Sequence, residues 1–357
     1  MRKNNSQVFM NTIAFFINDI SNVGGTQKVV STLSRGLVSG NPQTKVVIYS
    51  LRVSNEFALK NLHQNVEVIN LDENFNKLGI IRAIIKINRL NRKMDVNVVI
   101  GIGVYFSVFL PFIFGVKTIA AEHNSYNIVS DRTCFVRKIA YRFVSAVVSL
   151  TNYDKFFYQK INPMTFVIPN PLELRGDLGN IKRTNSIAAV GTLTKRKGFS
   201  RLLNIWSKVD SSNHYTLDIY GDGEEEDCLK LQSKELGLNN VFFHGNVNNI
   251  EERLLKSKLL VMTSFVEGFP MVLLEAMDAG LPCIAYDIRT GPCEIISNGN
   301  NGFLIQDGNE DEFVAALNNL IVNESILIKM SENAKKSAGE FELKEIVRKW
   351  NELISSL

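Results

Sequence analysis

The chain has 357 residues, 45% of them hydrophobic, with mean hydropathy near zero (+0.01), which excludes a disordered chain and makes two domains the expectation. Its four scattered cysteines (Cys134, Cys228, Cys283, Cys293) and four histidines form no CxxC or HExxH, which argues against a disulfide frame or a local zinc site and for reduced, cytoplasmic thiols. The net charge of +4 hides an asymmetry: residues 1–180 carry 21 Lys+Arg against 11 Asp+Glu (+10), and residues 181–357 carry 19 against 25 (−6). A basic half suits an anionic membrane or a lipid pyrophosphate. No basic run alternates with aromatics, so nucleic acid is not an expected partner.

The apolar stretch near the N-terminus is interrupted by Asn11 and Thr12 and lacks a cleavage pattern, so 12–17 reads as a buried strand and not a signal peptide. An amphipathic helix is expected over 26–37, with Val29, Val30 and Leu33 on one face. Strand 45–51, a helix near 56–61 and strand 66–70 follow. A basic helix spans 78–93, with Ile80, Ile81, Ile84, Ile85 and Ile87 as its apolar side. Residues 98–116 are uncharged and reach the length of a membrane span. Gly101, Gly103, Pro111 and Gly115 instead divide this region into a strand from 95, a short buried helix over 105–114 and a strand over 117–121. A second basic helix (132–143), strand 146–150 and the segment FVIPNP (166–171) complete the first series.

Residues 172–185 read as a linker. Strands at 186–190, 215–220, 241–244, 259–263, 283–286 and 303–305 then alternate with helices at 198–208, 225–236, 250–257, 270–279 and 310–320, with a helical turn at 294–296. Such alternation implies parallel sheets covered on both faces. The expected fold is α/β, with two doubly wound Rossmann-like domains: residues 1–172, an acceptor-side domain, and residues 173–340, a nucleotide-binding one. Ligands of such domains bind at the carboxyl ends of the strands. The amphipathic tail, 341–357, is expected to pack back on the first domain.

The chemistry concentrates in SFVEGFPMVLLEAMDAGLP, 264–282. Pro270 suits the first turn of a helix and Gly280 the residue past its end. The open N–H groups of that helix would seat a phosphate. Glu267 and Glu275 would not help bind one, so they more plausibly accept hydrogen bonds from hydroxyls. A ligand with both features is a nucleotide sugar. Gly24 and Gly25 open the first helix and allow backbone to approach a phosphate, or form a simple turn. Gly101 and Gly103, with Glu122 downstream, mimic a dinucleotide fingerprint but lack its third glycine. His123 ends a strand. Residues 191–198, GTLTKRKG, offer a diphosphate clamp through Thr192, Lys195, Arg196 and Lys197, or a basic surface turn. No Asp-x-Asp occurs, which removes the usual carboxylate pair for a divalent metal on a sugar nucleotide.

Glu267-GFPMVLL-Glu275 resembles the E-x7-E signature of retaining family-4-type glycosyltransferases with the GT-B fold. VGTLTKRKGF, LDIYGDGEEE, VFFHGNV, TGPCEII and NGFLI are similar to that family over 186–321, as are Gly24-Gly25, AEHN (121–124) and IPNP (168–171). The resemblance implies a donor site in which Glu267 holds sugar hydroxyls and Glu275 holds ribose hydroxyls. Backbone of Gly268, Phe269, Pro270, Met271 and Val272 would contact sugar and phosphate. Lys197 would hold the diphosphate and Val247 would lie near the base. Gly25 would line the phosphate and His123 would face the sugar. Where relatives often carry Arg, this chain has Thr192, and Gln27 stands where they often have Glu; Arg196 or Lys195 would supply the missing cation. The expected protein is a cytoplasmic, peripheral, metal-independent hexosyltransferase using a UDP-sugar, no other cofactor, and a polyprenyl-pyrophosphate-linked glycan acceptor. A UDP-sugar epimerase and a non-catalytic nucleotide-sugar binder are the rival classes.

Overall fold

The computed structural model describes residues 11–357 except 23, 42, 56–58, 60–61, 176–181 and 211–213. The chain divides into two compact units, one of Met1–Pro171 with Leu343–Leu357 and one of Leu172–Glu342.

In the first unit, β1 (Thr12–Ile17), β2 (Lys45–Ser50), β3 (Val66–Asn70), β4 (Val96–Ile102), β5 (Lys117–Ala121), β6 (Ala146–Ser149) and β7 (Thr165–Val167) form one parallel sheet. Its order is β3-β2-β1-β4-β5-β6-β7. β1 is buried at every residue, as a central parallel strand covered on both faces must be. One face packs against helices Gly25–Gly40 and Leu343–Ser356, through Val30, Leu33, Leu37, Ile346 and Trp350. Gly36 is the contact point: a Cβ there would press on Leu343 and Val347. The other face is covered by helix Lys77–Lys93, the short helix Val104–Ser107 and helix Asp131–Ala140.

The second unit repeats the plan. β8 (Ser186–Val190), β9 (Thr216–Tyr220), β10 (Val241–Phe243), β11 (Leu259–Met262), β12 (Cys283–Asp287) and β13 (Gly302–Gln306) pair in parallel in the order β10-β9-β8-β11-β12-β13. This is the doubly wound order whose switch point, between β8 and β11, opens a crevice at the carboxyl ends. Where the chain passes between units, Leu172 and Glu342 bridge, and the Leu172 N–H donates to the Phe341 carbonyl at 2.8 Å.

Several expectations need correction. Ile81 and Ile85 are exposed (54% and 47%), not part of the apolar side of their helix. Only Ile80, Ile84 and Ile87 keep the 3.6-residue period of the buried face. The 105–114 helix is neither continuous nor buried: Val104–Ser107 gives way to a 3₁₀ turn at Leu110–Phe112, and Tyr105, Phe112 and Phe114 are exposed. Pro270 is the N-cap, with extended backbone, and not a residue of the first turn. Residues 341 and 342 belong to the second unit, not the tail. Helices Asn152–Tyr158 and Glu324–Ala338 were not anticipated. The expected helix near 56–61 falls mostly outside the described residues. Among the described residues no single helix is long and apolar enough to cross a membrane.

Candidate active site

The switch point of the second unit joins two loops. The loop after β8 begins at Gly191 and turns through a 3₁₀ segment, Lys195–Lys197, to Gly198. Gly198 has φ +69°, and a Cβ there would collide with the Thr263 carbonyl oxygen, so only glycine lets the two loops meet. The Thr263 hydroxyl donates to the Gly198 carbonyl at 2.9 Å, and the Phe265 N–H to the Arg196 carbonyl at 2.8 Å. Arg201 donates to the carbonyls of Thr263 (2.5 Å) and Ser264 (2.6 Å), with its guanidinium 3.9 Å from the centroid of the Phe265 ring.

This stitching brings Lys197 to Glu267, seventy residues away. The Lys197 Nζ donates to Glu267 Oε1 at 2.6 Å, and Arg196 Nη1 lies 3.9 Å from Oε2. Glu267 is 6% exposed. A carboxylate this buried needs a cationic partner, and Lys197 supplies it. A second brace comes from the far side: the Thr290 hydroxyl donates to the Glu267 carbonyl at 2.5 Å. Gly291, at φ +98°, packs where a Cβ would press on Pro270 and the Glu267 side chain. Helix Met271–Asp278 therefore starts beside a fixed Glu267. No side chain caps that start, while Met271 and Val272 are half-buried. Phe269 and Pro270 are buried, Phe269 against Phe341 at 5.7 Å between centroids. Gly268 and Glu275 are half-buried.

Beside the ion pair is a cavity of about 220 Å³ lined by Val190, Gly191, Thr192, Tyr220, Gly221, Asp222, Asn246, Val247 and Ile250. Thr192 and Val247 thus share one cavity, and Glu275 is not among its walls. Gly191 links cavity to ion pair, since a Cβ there would lie 3.6 Å from the Lys197 stem. Gly221, at φ +131°, packs directly on the Gly191 carbonyl. Tyr220 stacks on His244 at 4.7 Å and 15°. His244 Nε2 is 2.6 Å from Asp218 Oδ1, and Asp218 Oδ2 accepts from the Ser186 and Thr216 hydroxyls at 2.5 and 2.7 Å. Tyr220, Arg201 and Thr290 were missed as site residues. For Tyr220 and Thr290 the signals were the glycines of YGDG and TGP, which mark places where backbone must pass close to backbone; Arg201 carried none.

In the first unit, Gly24 caps helix Gly25–Gly40 with extended backbone, and both glycines are exposed. A Cβ at Gly25 would meet nothing within 4 Å, so packing does not require glycine there. The loop leading to them is fixed by Asp19, which is fully buried. It accepts from the Ser21 N–H (2.9 Å) and from the hydroxyls of Ser21 (2.5 Å) and Ser54 (2.6 Å). Burial acts to raise the Asp19 pKa, but these hydrogen bonds prevail and hold it below the ordinary value. His123 follows β5, with Nε2 buried and no hydrogen-bond partner, and desolvation lowers it to about 4, so it is neutral. Its neighbour Glu122 is buried, accepts from the Tyr141 hydroxyl and is raised by desolvation to about 7. It belongs to this network and not to a dinucleotide site. Asp154 Oδ1 takes the Ser125 hydroxyl (3.1 Å) and the Tyr126 N–H (2.9 Å), fixing the turn after His123.

A family model for glycosyl transferases group 1 matches residues 172–337. The amylovoran biosynthesis glycosyltransferase AmsD of Erwinia amylovora is 30% identical over 97% of this chain and 100% of its own length. The chain belongs to the group 1 glycosyltransferases. It is an enzyme that transfers sugars. The Campylobacter jejuni α-1,4-N-acetyl-D-galactosaminyltransferase, named for a GalNAc-containing diNAcBac-PP-undecaprenol glycan, is 26% identical over 68% of this chain and 70% of its own. The GT-B fold of the family is shared with Anabaena HepE, solved in complex with UDP: TM-score 0.81 at 22% identity, covering 97% of this chain and 100% of that one.

Proposed function

We propose that this glycosyltransferase moves a hexose or N-acetylhexosamine from a UDP-sugar to a lipid-linked glycan in bacterial surface-polysaccharide synthesis, with retention at the anomeric carbon. The observation that carries the reading is the Lys197–Glu267 pair at the switch point, beside a cavity walled by Tyr220 and Val247. The base is assigned to that cavity, the diphosphate to Lys197 with Arg196 and Lys195, and the hydroxyls of the transferred sugar to Glu267. Glu275 takes the ribose. Backbone of Gly268–Val272 completes the donor seat. The site acts by stabilising the departing UDP and orienting the reactants. The lysine and arginine cluster supports a reaction needing no divalent metal. The names of the E. amylovora and C. jejuni relatives support the acceptor class. A lipid acceptor places the enzyme peripherally at the cytoplasmic membrane.

The test is UDP release by purified protein over a panel of UDP-sugars with a lipid-linked acceptor, and the anomeric configuration of the product by NMR. Transfer is expected to persist in excess EDTA and to fail in Glu267→Gln with the fold intact. Conversion of UDP-sugar without acceptor would favour an epimerase, and an inverted product would overturn retention.

A further inference from the structure

Helices Lys77–Lys93, Val104–Ser107 and Asp131–Ala140, with the 3₁₀ turns at Leu110–Phe112 and Tyr141–Phe143, form one layer on the first sheet. Ile80, Ile84, Phe106, Leu110, Ala140 and Tyr141 point inward from it into a single buried cluster. Helices covering a sheet ordinarily turn polar residues outward. This layer carries a second apolar surface outward. On its first helix Leu78, Ile81 and Ile85 stand exposed at i, i+3 and i+7. On its last, Phe135 and Ile139 stand exposed at i and i+4, and Phe143 in the 3₁₀ turn that follows, Phe135 at 66% and Phe143 at 70%. Phe112 and Phe114 belong to the same layer as the first stripe: the Asn88 side chain donates to the Phe112 carbonyl (2.9 Å) and accepts from the Phe114 N–H (2.8 Å). On the opposite face, helices Gly25–Gly40 and Leu343–Ser356 expose no large apolar side chain among the described residues.

The layer is also basic. Lys77–Lys93 carries six Lys+Arg and no acidic residue, two of them (Arg82 and Lys86) paired with Glu73; 131–143 carries three outward cations against Asp131 alone, its Arg137 being buried. Arg132, Lys138 and Arg142 are exposed beside the Phe135–Phe143 stripe. A second copy of this face would set cation against cation. A sheet of anionic headgroups over an acyl interior complements both properties at once.

We propose that this layer docks on an anionic phospholipid bilayer, with the two apolar stripes entering the headgroup–acyl boundary. The proposal draws on the functional reading only for the lipid-linked acceptor; the docking requires neither donor nor acceptor. Insertion differs from a purely electrostatic contact in surviving salt, because screening removes only the charge contribution.

The experiment is co-sedimentation of the full chain with phosphatidylcholine vesicles, with and without phosphatidylglycerol, at low and high salt. Binding is expected to be at least about tenfold tighter with phosphatidylglycerol, with a residual bound fraction at high salt. Phe135→Ser with Phe143→Ser is expected to remove that residual fraction and weaken low-salt binding by about tenfold or more. Ile81→Ser with Ile85→Ser, on the other helix, should act in the same direction. Arg132→Glu with Arg142→Glu should abolish the preference for phosphatidylglycerol. The proposal is overturned if both apolar variants, folded by circular dichroism, bind vesicles as the parent does. It is also overturned if they convert a dimer to a monomer in sedimentation velocity while vesicle binding is absent. UDP affinity by calorimetry should be unchanged in every variant. A parent chain that bound vesicles but no UDP would sink the functional reading and leave this one standing.

Discussion

The two sheets share the order 3-2-1-4 around their switch points, yet their loops there are built by opposite rules. In the second unit, backbone is pressed on backbone: Gly198 against Thr263, Gly221 against Gly191, Gly291 against Pro270. The result is a fixed ion pair, Lys197–Glu267, beside a cavity. In the first unit, Gly24 and Gly25 are exposed, and rigidity comes from buried side chains below them and below His123: Asp19, Glu122, Tyr141 and Asp154. One loop is shaped by sterics and the other by a buried polar network. Substitutions should therefore separate the two.

The largest expected effect is at the ion pair. Lys197→Ala should cut the rate of UDP release about 10²–10³-fold, as does loss of one preorganised charge-stabilising donor. It also removes the cation hydrogen-bonded to buried Glu267, leaving only Arg196 at 3.9 Å, so chemical denaturation should show a loss of up to roughly 3–5 kcal/mol. A rate within threefold of the parent would remove Lys197 from the site.

Next come the glycines. Gly198→Ala forces a positive φ and a backbone collision, and should lower stability by at least about 2 kcal/mol. Gly25→Ala has open space and an ordinary φ, and should leave stability within about 1 kcal/mol of the parent. If Gly25→Ala nevertheless raises the KM for the donor, its missing side chain matters to a ligand and not to the fold. Equal stability losses in the two variants would erase the contrast.

The polar network predicts a cancellation with pH. Folded Glu122 titrates near 7 against an ordinary 4.5, and folded His123 near 4 against 6.5. Raised Glu122 adds stability that is full below 4.5 and lost as pH rises to 7. Lowered His123 adds stability that is present above 6.5 and lost as pH falls to 4. Between about 4.5 and 6.5 the folded pair is neutral and the unfolded pair is an ion pair with the same proton count, so these two residues together give no slope. Glu122→Gln should unmask His123. Its stability relative to the parent should rise by about 1.4 kcal/mol per pH unit over that window, measured by urea unfolding at a series of pH values. Parallel pH profiles would show that the two groups do not titrate in opposite directions.

The smallest effect expected is at Thr192, an exposed cavity residue. Thr192→Arg would add a screened cation near the proposed diphosphate seat, worth about 1 kcal/mol or a fivefold lower donor KM in steady-state assays. No change would mean that Arg196 and Lys195 already supply the charge.

Strands were the most legible part of the sequence, because central parallel strands are short continuous apolar runs bounded by Gly, Pro or Asn. Helix Glu324–Ala338 escaped notice because its buried residues, Leu327, Met330, Ala334 and Ala338, include only two large ones. The five isoleucines of 78–93 do not share one face, because Ile81 and Ile85 sit about 100° from their neighbours Ile80 and Ile84. Arg137 reads in sequence as a solvated cation, yet it is fully buried, with its guanidinium 3.8 Å from the centre of the Tyr126 ring and donating to the Tyr126 carbonyl. Glu267, Glu275 and Lys197 were legible as chemistry. Their pairing was not: Lys197 meets Glu267 across seventy residues, while Glu275 stays outside the cavity that Thr192 and Val247 share.

Because helix Leu343–Ser356 completes the face that Gly36 and Leu37 begin, the second unit is an insertion within the first. On the ribosome, residues 172–342 are made after the first sheet and before the helix that closes it. The first unit starts synthesis first and is completed last. Until residues 343–357 leave the exit tunnel, Val30, Leu33 and Leu37 face water. That interval is the period in which the nascent chain is most open to chaperones and to aggregation.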